Sequence, residues 1–184
     1  STEVTPETAA LTKFRGSHVT DQIMITFYSA TDWDKLWHSV QDAGSSKFLE
    51  EFEALHAAQE KDNWVGHEPV VIESGTEELK EEIRKWTSSR SATHYFVKEV
   101  EVALKDLPLP EGVVLVDTPG LNDAVEYRSN ITKDYIDRAN AVFVCVKADR
   151  LSGQELATIY GVFSNARYNP EKIYIIATQQ DSLN

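Results

Sequence analysis

Three short runs of apolar and β-branched residues, each ending in polar residues, most constrain the fold of this chain. The runs are VVLVD (113–117), AVFVCVKA (141–148) and KIYIIAT (172–178). Unbroken apolar runs of this length are typical of strands that are buried on both faces. Helical patterns around residues 130–139 and 154–165 separate them. Strands that alternate with helices predict an α/β fold with a mostly parallel sheet, in which ligands bind at the carboxyl ends of strands.

The first ninety residues divide into a β-rich opening and a helical segment. Two strands are predicted from AALTKFRG and DQIMITFYS, on either side of Gly16 and Ser17. Apolar residues then recur at helical spacing over residues 31–90, beginning at Thr31, whose hydroxyl is predicted to cap the first helix. We therefore predict a helical insert over 31–90, followed by core strands and helices over 91–184.

A period of two returns in the stretch HYFVKEVEVAL, which predicts a half-exposed strand. Phe96, Val100, Val102 and Leu104 share one face of this strand, and Lys98 is the exception on that face. The strand leads through a short turn into VVLVD.

Composition excludes several classes of function. The net charge of −12 and the pI of about 4.8 argue against broad binding to nucleic acid or anionic lipid. The single cysteine, Cys145, lies in an apolar run, so we expect a buried core residue and a reducing, cytoplasmic setting without disulfides. No apolar stretch has the length of a membrane span, and the first residues do not resemble a signal peptide.

The sequence Asp117-Thr118-Pro119-Gly120 follows the first buried run. A carboxylate at a strand end can hold a magnesium ion, usually through water, and the glycine lets its own N–H approach a terminal phosphate. Proline and glycine also favour chain reversal, so an ordinary turn is the alternative.

A second motif, TQQD, ends the last predicted strand. Guanine-nucleotide-binding proteins carry Asn or Thr, then Lys, any residue and Asp at such a strand end. The aspartate accepts hydrogen bonds from the guanine N1–H and amino group, which adenine cannot supply. Thr178 and Asp181 fit this pattern, whereas Gln179 stands in the lysine position. A polar strand terminus without this role is the alternative.

The third candidate site lies in VTPETAALT, before the first strand. A threonine in a loop at this place can ligate magnesium through its hydroxyl while its backbone meets the terminal phosphate. Thr8 is our choice, with Thr5 and Thr12 as competitors. An ordinary threonine in a polar loop is the alternative.

The chain resembles the GTPase domain of dynamin-like proteins, particularly the bacterial type. The resemblance covers nearly the whole chain and rests on the order of these segments: TPETAALTKFRG, a long helical insert, HYFVKEVEVAL, LPEGVVLVDTPGLND and ANAVFVCVKADRLSGQE. The combination of VVLVDTPGLND with the next strand is its most specific element. More than a hundred residues separate Thr8 from Asp117, whereas compact Ras-like GTPases place these two boxes close together.

The resemblance implies magnesium-dependent hydrolysis of GTP to GDP. Thr8 would ligate Mg²⁺ directly, Asp117 would ligate it through water, and Gly120 would donate to the γ-phosphate. Residues 121–130 would form a second switch. The base-recognition corner would comprise Thr178, Gln179 and Asp181. For the complete protein it implies a homo-oligomer through the GTPase domain, membrane remodelling and membrane contact through regions outside this chain.

The phosphate-binding sequence Gly-x-x-x-x-Gly-Lys-[Ser/Thr] does not occur in these residues. We therefore expect a fragment of a larger GTPase that binds GTP poorly and is inactive by itself, with an exposed sheet edge. Gln179 lacks the charge and length of the family's lysine, which puts guanine affinity in doubt. Two alternatives remain: a degenerate GTPase fold whose insert binds a protein partner without catalysis, and a P-loop ATPase, which Asp181 disfavours.

Overall fold

The computed structural model describes residues 10–119, 121, 125–147, 153–166 and 169–178. These residues form two compact units. The first unit contains residues 10–119 and 125–127, and the second contains the other described residues. Both units combine strands with helices, which confirms the α/β class.

The first unit carries five strands and four helices. The strands are β1 (Leu11–Gly16), β2 (Gln22–Phe27), β3 (Val70–Glu73), β4 (Val97–Leu104) and β5 (Val114–Asp117). The helices are α1 (Ala30–Asp42), α2 (Ser46–Ala54), α3 (Lys61–Trp64) and α4 (Thr76–Thr87), with 3-10 turns at Ala57–Glu60 and Ala92–Phe96. The predicted insert thus contains a strand, β3, besides its helices.

The strands of the first unit form one sheet in the order β3-β2-β4-β1-β5. Strands β1 and β4 are parallel, whereas the pairs β1–β5, β2–β3 and β2–β4 are antiparallel. The expectation of parallel pairing therefore holds for β1 and β4 in this unit. Residues 105–113 join β4 to β5 without a helix, and a connection this short cannot return a strand in the parallel direction.

The loop between β4 and β5 crosses the end of β1 at Gly16. A Cβ atom built on Gly16 would lie 3.4 Å from the Leu109 carbonyl oxygen and 3.8 Å from that of Leu107. The absence of a side chain at this position lets the loop backbone pass close to the strand. Gly16 therefore helps to place β5 beside β1.

One face of this sheet is covered by the insert. Strands β2 and β4 bury apolar residues there, among them Ile23, Ile25 and Val100, which have no exposed surface. Helix α1 contributes Leu36 and Val40, which are equally buried, so the helix packs its apolar stripe into the same core.

Aromatic side chains fill much of the core between the insert and the sheet. The rings of Trp33 and Phe96 lie 4.9 Å apart, and those of Trp37 and Phe52 lie 5.1 Å apart. Helix α1 is capped by Ser29, whose Oγ accepts a hydrogen bond from the Asp32 N–H at 3.1 Å. The cap is thus two residues earlier than the predicted Thr31, which lies within the helix.

The opposite face of the sheet carries cross-strand ion pairs. The Lys13 ammonium lies 2.8 Å from the Glu99 carboxylate, and the Arg15 guanidinium lies 2.7 Å from the Glu101 carboxylate. These pairs run diagonally between β1 and its parallel neighbour β4, since the register places Lys13 opposite Glu101. They are half-exposed, so we expect each to contribute about 0.2–1 kcal/mol.

The second unit contains a pair of parallel strands, all of helix α5 (Glu126–Arg138) except its first two residues, and helix α6 (Gly153–Asn165). Helix α5 precedes β6 (Val142–Lys147), and helix α6 precedes β7 (Ile173–Thr178), with a 3-10 turn at Pro170–Lys172. The helices predicted around 130–139 and 154–165 are confirmed. The core of this unit contains Ile136, Val144, Val146, Val162 and Ala166.

The three apolar runs are more exposed than their sequences predict. Among the described residues β5 pairs with β1 alone, and Leu115 in β5 is 49% exposed. In the second unit, β6 buries Val144 and Val146 but leaves Phe143 and Cys145 exposed. The predictions that these runs are buried on both faces and that Cys145 is a core residue were wrong. A strand buries both faces only where the fold covers both, and composition does not show which face is covered.

Candidate functional site

Asp117 is the last residue of β5, and the chain continues through Thr118 and Pro119. The antiparallel register places Asp117 opposite Thr12 near the start of β1. Asp117 is exposed, and no other described residue forms an ion pair or hydrogen bond with its carboxylate. The carboxylate is therefore accessible to a ligand. Gly120, the last residue of this motif, lies outside the described residues.

Of the three threonine candidates near the start of the chain, the structure describes only Thr12. Thr12 lies within β1 and is only 5% exposed, so it does not present its hydroxyl from a loop. Thr8 and Thr5 lie outside the described residues. In the sequence, Thr8 lies four residues before Thr12, the residue that pairs with Asp117. Because Thr8 lies outside the described residues, its assignment stays a prediction.

Thr178 ends β7 in the second unit. Its hydroxyl donates a hydrogen bond to the Val146 carbonyl oxygen of β6 at 3.1 Å. The parallel register pairs Lys147 with Thr178, so β6 and β7 end at the same edge. This is where a base-recognition corner is expected in a parallel sheet. Gln179 and Asp181 lie outside the described residues, and their roles stay predictions.

A salt bridge that the sequence analysis did not predict lies at the same end of the first sheet as Asp117. The Lys98 ammonium, from the start of β4, donates to the Asp32 carboxylate in the first turn of α1 at 2.7 Å. Val100 of β4 pairs with Thr12, which in turn pairs with Asp117, so Lys98 lies beyond this row toward the same edge. The signal in the sequence was Lys98 itself, a cation on an otherwise apolar strand face.

This salt bridge shifts the pKa values of both groups. The hydrogen bond from Lys98 lowers the pKa of Asp32, and the hydrogen bond to Asp32 raises the pKa of Lys98. Burial raises the pKa of Tyr127, and the negative charge of Asp32 adds to this shift. Near neutral pH the three side chains therefore stand as a carboxylate, an ammonium and a neutral phenol.

Residues 125–127 belong to the first unit, whereas the rest of α5 belongs to the second. Val125 is 2% exposed within the core of the first unit. The Tyr127 N–H donates to Ser39 Oγ of α1 at 3.0 Å, and the Tyr127 ring lies edge-on to Tyr28 at 6.2 Å. The start of α5 is thus attached to the insert. Neither Ser39 nor Tyr127 stands out in the sequence.

No group of three or more His, Cys, Asp or Glu side chains in the described ranges is arranged to hold a metal ion. Asp117 supplies a single accessible carboxylate, a donor type that magnesium prefers. None of the described helices has both the length and the apolar character needed to cross a membrane.

The chain is similar to a known protein family over most of its length. Residues 2–160 match the family described as Dynamin family. Dynamin-like protein 1 of Campylobacter jejuni is 23% identical over 180 residues, which are 97% of this chain and 23% of that protein. Nuclear GTPase SLIP-GC of Mus musculus is 38% identical over 73 residues, which are 38% of this chain and 9% of that protein. The chain therefore spans less than a quarter of the length of either relative.

A solved structure shows the same fold. It belongs to a work on an oligomerised bacterial dynamin pair, described as providing a mechanism for long-range sensing and tethering of membranes. The TM-score is 0.56 at 16% sequence identity, and the match covers 96% of this chain and 35% of that one. At this identity the similarity establishes the fold.

Proposed function

Because the chain belongs to the dynamin family, we propose that it is part of a GTPase whose cycle of GTP binding and hydrolysis is coupled to membrane remodelling. The observation that carries this proposal is the accessible Asp117 carboxylate at the carboxyl end of β5, within a region that matches the family over residues 2–160. Since the 184 residues contain no Gly-x-x-x-x-Gly-Lys-[Ser/Thr] sequence, we assign the activity to the full-length protein.

Three residues of the chain would serve the phosphate end of the nucleotide. Thr8 and Asp117 would hold Mg²⁺, Thr8 directly and Asp117 through water, and Gly120 would donate its backbone N–H to the γ-phosphate. Bound magnesium neutralises negative charge on the β- and γ-phosphate oxygens. Asp117 suits this role because its strand fixes the backbone while its carboxylate stays open to solvent.

The base would be recognised at the end of β7. Asp181 would accept hydrogen bonds from the guanine N1–H and amino group, and Thr178 and Gln179 would complete the corner. The bond from Thr178 to Val146 supports this assignment because it ties the ends of β7 and β6 together. Gln179 cannot provide the charged stem of a lysine along the base, so we expect weaker guanine binding than the lysine would give.

The wider biology is proposed from the family. The structurally similar bacterial dynamins are described as an oligomerised pair that tethers membranes. For this protein we propose a homo-oligomer that forms through the GTPase domain, a cytoplasmic location and membrane contact through regions outside the 184 residues. The net charge of −12 gives no support to nucleic acid as a partner.

Phosphate release by the full-length protein tests this function. With Mg²⁺ present, we expect turnover of GTP and not of ATP. The variant Asp181→Asn should favour xanthosine triphosphate over GTP, because xanthine carries a carbonyl where guanine carries an amino group and the amide can donate to it. Gln180→Ala is the matched control and should keep the GTP preference. Equal turnover of GTP and ATP would contradict the base assignment, and no turnover would favour the non-catalytic interaction module.

A further inference from the structure

The start of α5 receives a cap from another helix. The first N–H groups of a helix have no partner within the helix and need an external acceptor. Tyr127 is the second residue of α5, and its N–H donates to Ser39 Oγ of α1 at 3.0 Å. An N-cap side chain usually comes from the residue just before the helix. Here the Ser39 hydroxyl, from helix α1, accepts the hydrogen bond instead.

Two further contacts hold the same short segment on the first unit. Val125 is 2% exposed in the core that contains the apolar face of α1. The Tyr127 ring packs edge-on against Tyr28, whose own N–H donates to the Phe96 carbonyl oxygen at 3.0 Å. Tyr28 is thereby fixed to the residues that precede β4. The anchor, which we define as Ser39, Val125 and Tyr127, thus rests on α1 and on the sheet.

The anchor lies close in sequence to the proposed catalytic motif. Pro119 and Val125 both belong to the first unit, and only residues 120–124 separate them. The anchor therefore lies within a few residues of the motif that begins at Asp117. Tyr28, against which Tyr127 packs, lies at the same end of the sheet as Asp117, because it follows the end of β2, which pairs with the start of β4.

We propose that Ser39 is a positioning residue for GTP hydrolysis, which caps the start of α5 and thereby holds Val125 and Tyr127, a few residues after the Asp117–Gly120 motif. This role rests on the proposed GTPase function. Displacement of groups around a reacting phosphate by about 1 Å can lower the rate of the chemical step as much as hundredfold. The proposed contacts to the base, at the end of β7, do not involve Ser39. Loss of the Ser39 hydroxyl should therefore lower kcat and leave the KM for GTP nearly unchanged.

The test is steady-state GTP hydrolysis by the full-length protein and its Ser39→Ala variant. We expect kcat to fall by about three- to tenfold, the effect of one lost hydrogen bond, with the KM changed by less than about twofold. Ser39→Thr keeps the hydroxyl and should restore kcat. Gln41→Ala, an exposed residue of the same helix, is the matched control and should behave as the wild type.

Amide hydrogen exchange at Tyr127 provides a readout that does not depend on activity. Ser39→Ala should accelerate exchange of this amide, and Ser39→Thr should not. Faster exchange with an unchanged kcat would overturn the positioning role while leaving the GTPase function intact. Unchanged exchange, or a kcat that Ser39→Thr fails to restore, would also overturn it. If the wild-type full-length protein does not hydrolyse GTP, both the proposed function and this role of Ser39 are excluded.

Discussion

Lys98 and Asp32 show how one residue pair connects the insert to the sheet. Lys98 stands on the apolar face of β4, and its ammonium is satisfied by the Asp32 carboxylate at 2.7 Å. Because the pKa of Asp32 is lowered in the folded chain, its contribution to stability is present above the unfolded value and is lost as the pH falls through the folded value. The raised pKa of Lys98 removes its contribution only at strongly alkaline pH.

This residue pair predicts a pH-dependent effect of Asp32→Asn. The variant should lower the free energy of unfolding at about pH 7, where the wild-type carboxylate is charged and paired. At a pH below the lowered folded pKa of Asp32 the wild-type carboxyl also becomes protonated, so the difference between the two proteins should shrink. Urea unfolding at both pH values measures it, with the exposed Asp34→Asn on the same helix as control. An equal difference at both pH values would contradict the charged pair.

Among the elements of the first unit, helix α1 has two roles. Its inner side buries Trp33, Leu36 and Val40 against the sheet, while its Ser39 holds the start of α5. One helix therefore stabilises the core and carries the anchor. The two roles fall on adjacent positions and can be separated by substitution.

Truncation of Leu36 tests the core role of α1. Leu36 has no exposed surface, so Leu36→Ala should lower the free energy of unfolding of the first unit by about 2–5 kcal/mol. The exposed Gln41→Ala should change it by less than about 0.5 kcal/mol. Urea unfolding monitored by tryptophan fluorescence measures both changes in the free energy of unfolding. A small effect of Leu36→Ala would mean that α1 does not pack as described.

The helices and most strands could be predicted from the sequence because their signals are local. Periodicity identified α5 and α6, and the alternation in DQIMITFYS identified β2. Strand β3 was missed because VVIE is short and gains its partner from β2, a contact that lies far away in sequence. Strand β5 pairs with β1, which also lies far away in the sequence. Its local pattern could not show which of its residues are exposed, and they were predicted to be buried.

The candidate site was only partly predictable for the same reason. Asp117 could be recognised because its motif is contiguous, and the structure shows its carboxylate open to solvent. Ser39 and Tyr127 could not be recognised, because a hydrogen bond between residues 88 positions apart leaves no local pattern. Lys98 was noticed as an exception, but its partner Asp32 is 66 positions away.

At the scale of the whole molecule, the second unit presents an apolar sheet face. Phe143 and Tyr174 are both 53% exposed, and their rings lie 5.5 Å apart on neighbouring strands. Ile176 of β7, which pairs with Cys145, is 40% exposed on the same side. A patch of this kind favours association in water. The acidic surface opposes it through charge repulsion.

The 184-residue chain should therefore self-associate through this face, and more strongly as salt screens its charge. The double variant Phe143→Lys with Tyr174→Lys should lower the apparent mass in sedimentation at high salt. Val19→Lys, a change at an isolated residue that is 79% exposed, should leave the mass unchanged. Equal association of the double variant and the wild type would show that this face is not responsible.

If Asp117 serves a GTPase site, turnover of GTP by the full-length protein depends on its carboxylate. Phosphate release from GTP with Mg²⁺ should fall by about hundredfold or more in Asp117→Ala, because the carboxylate that holds the metal is gone. Asp106→Ala is the matched control, since Asp106 is exposed in the loop after β4 at the opposite end of the sheet, and it should turn over GTP as the wild type does. Unchanged turnover in Asp117→Ala would show that Asp117 does not serve a GTPase site.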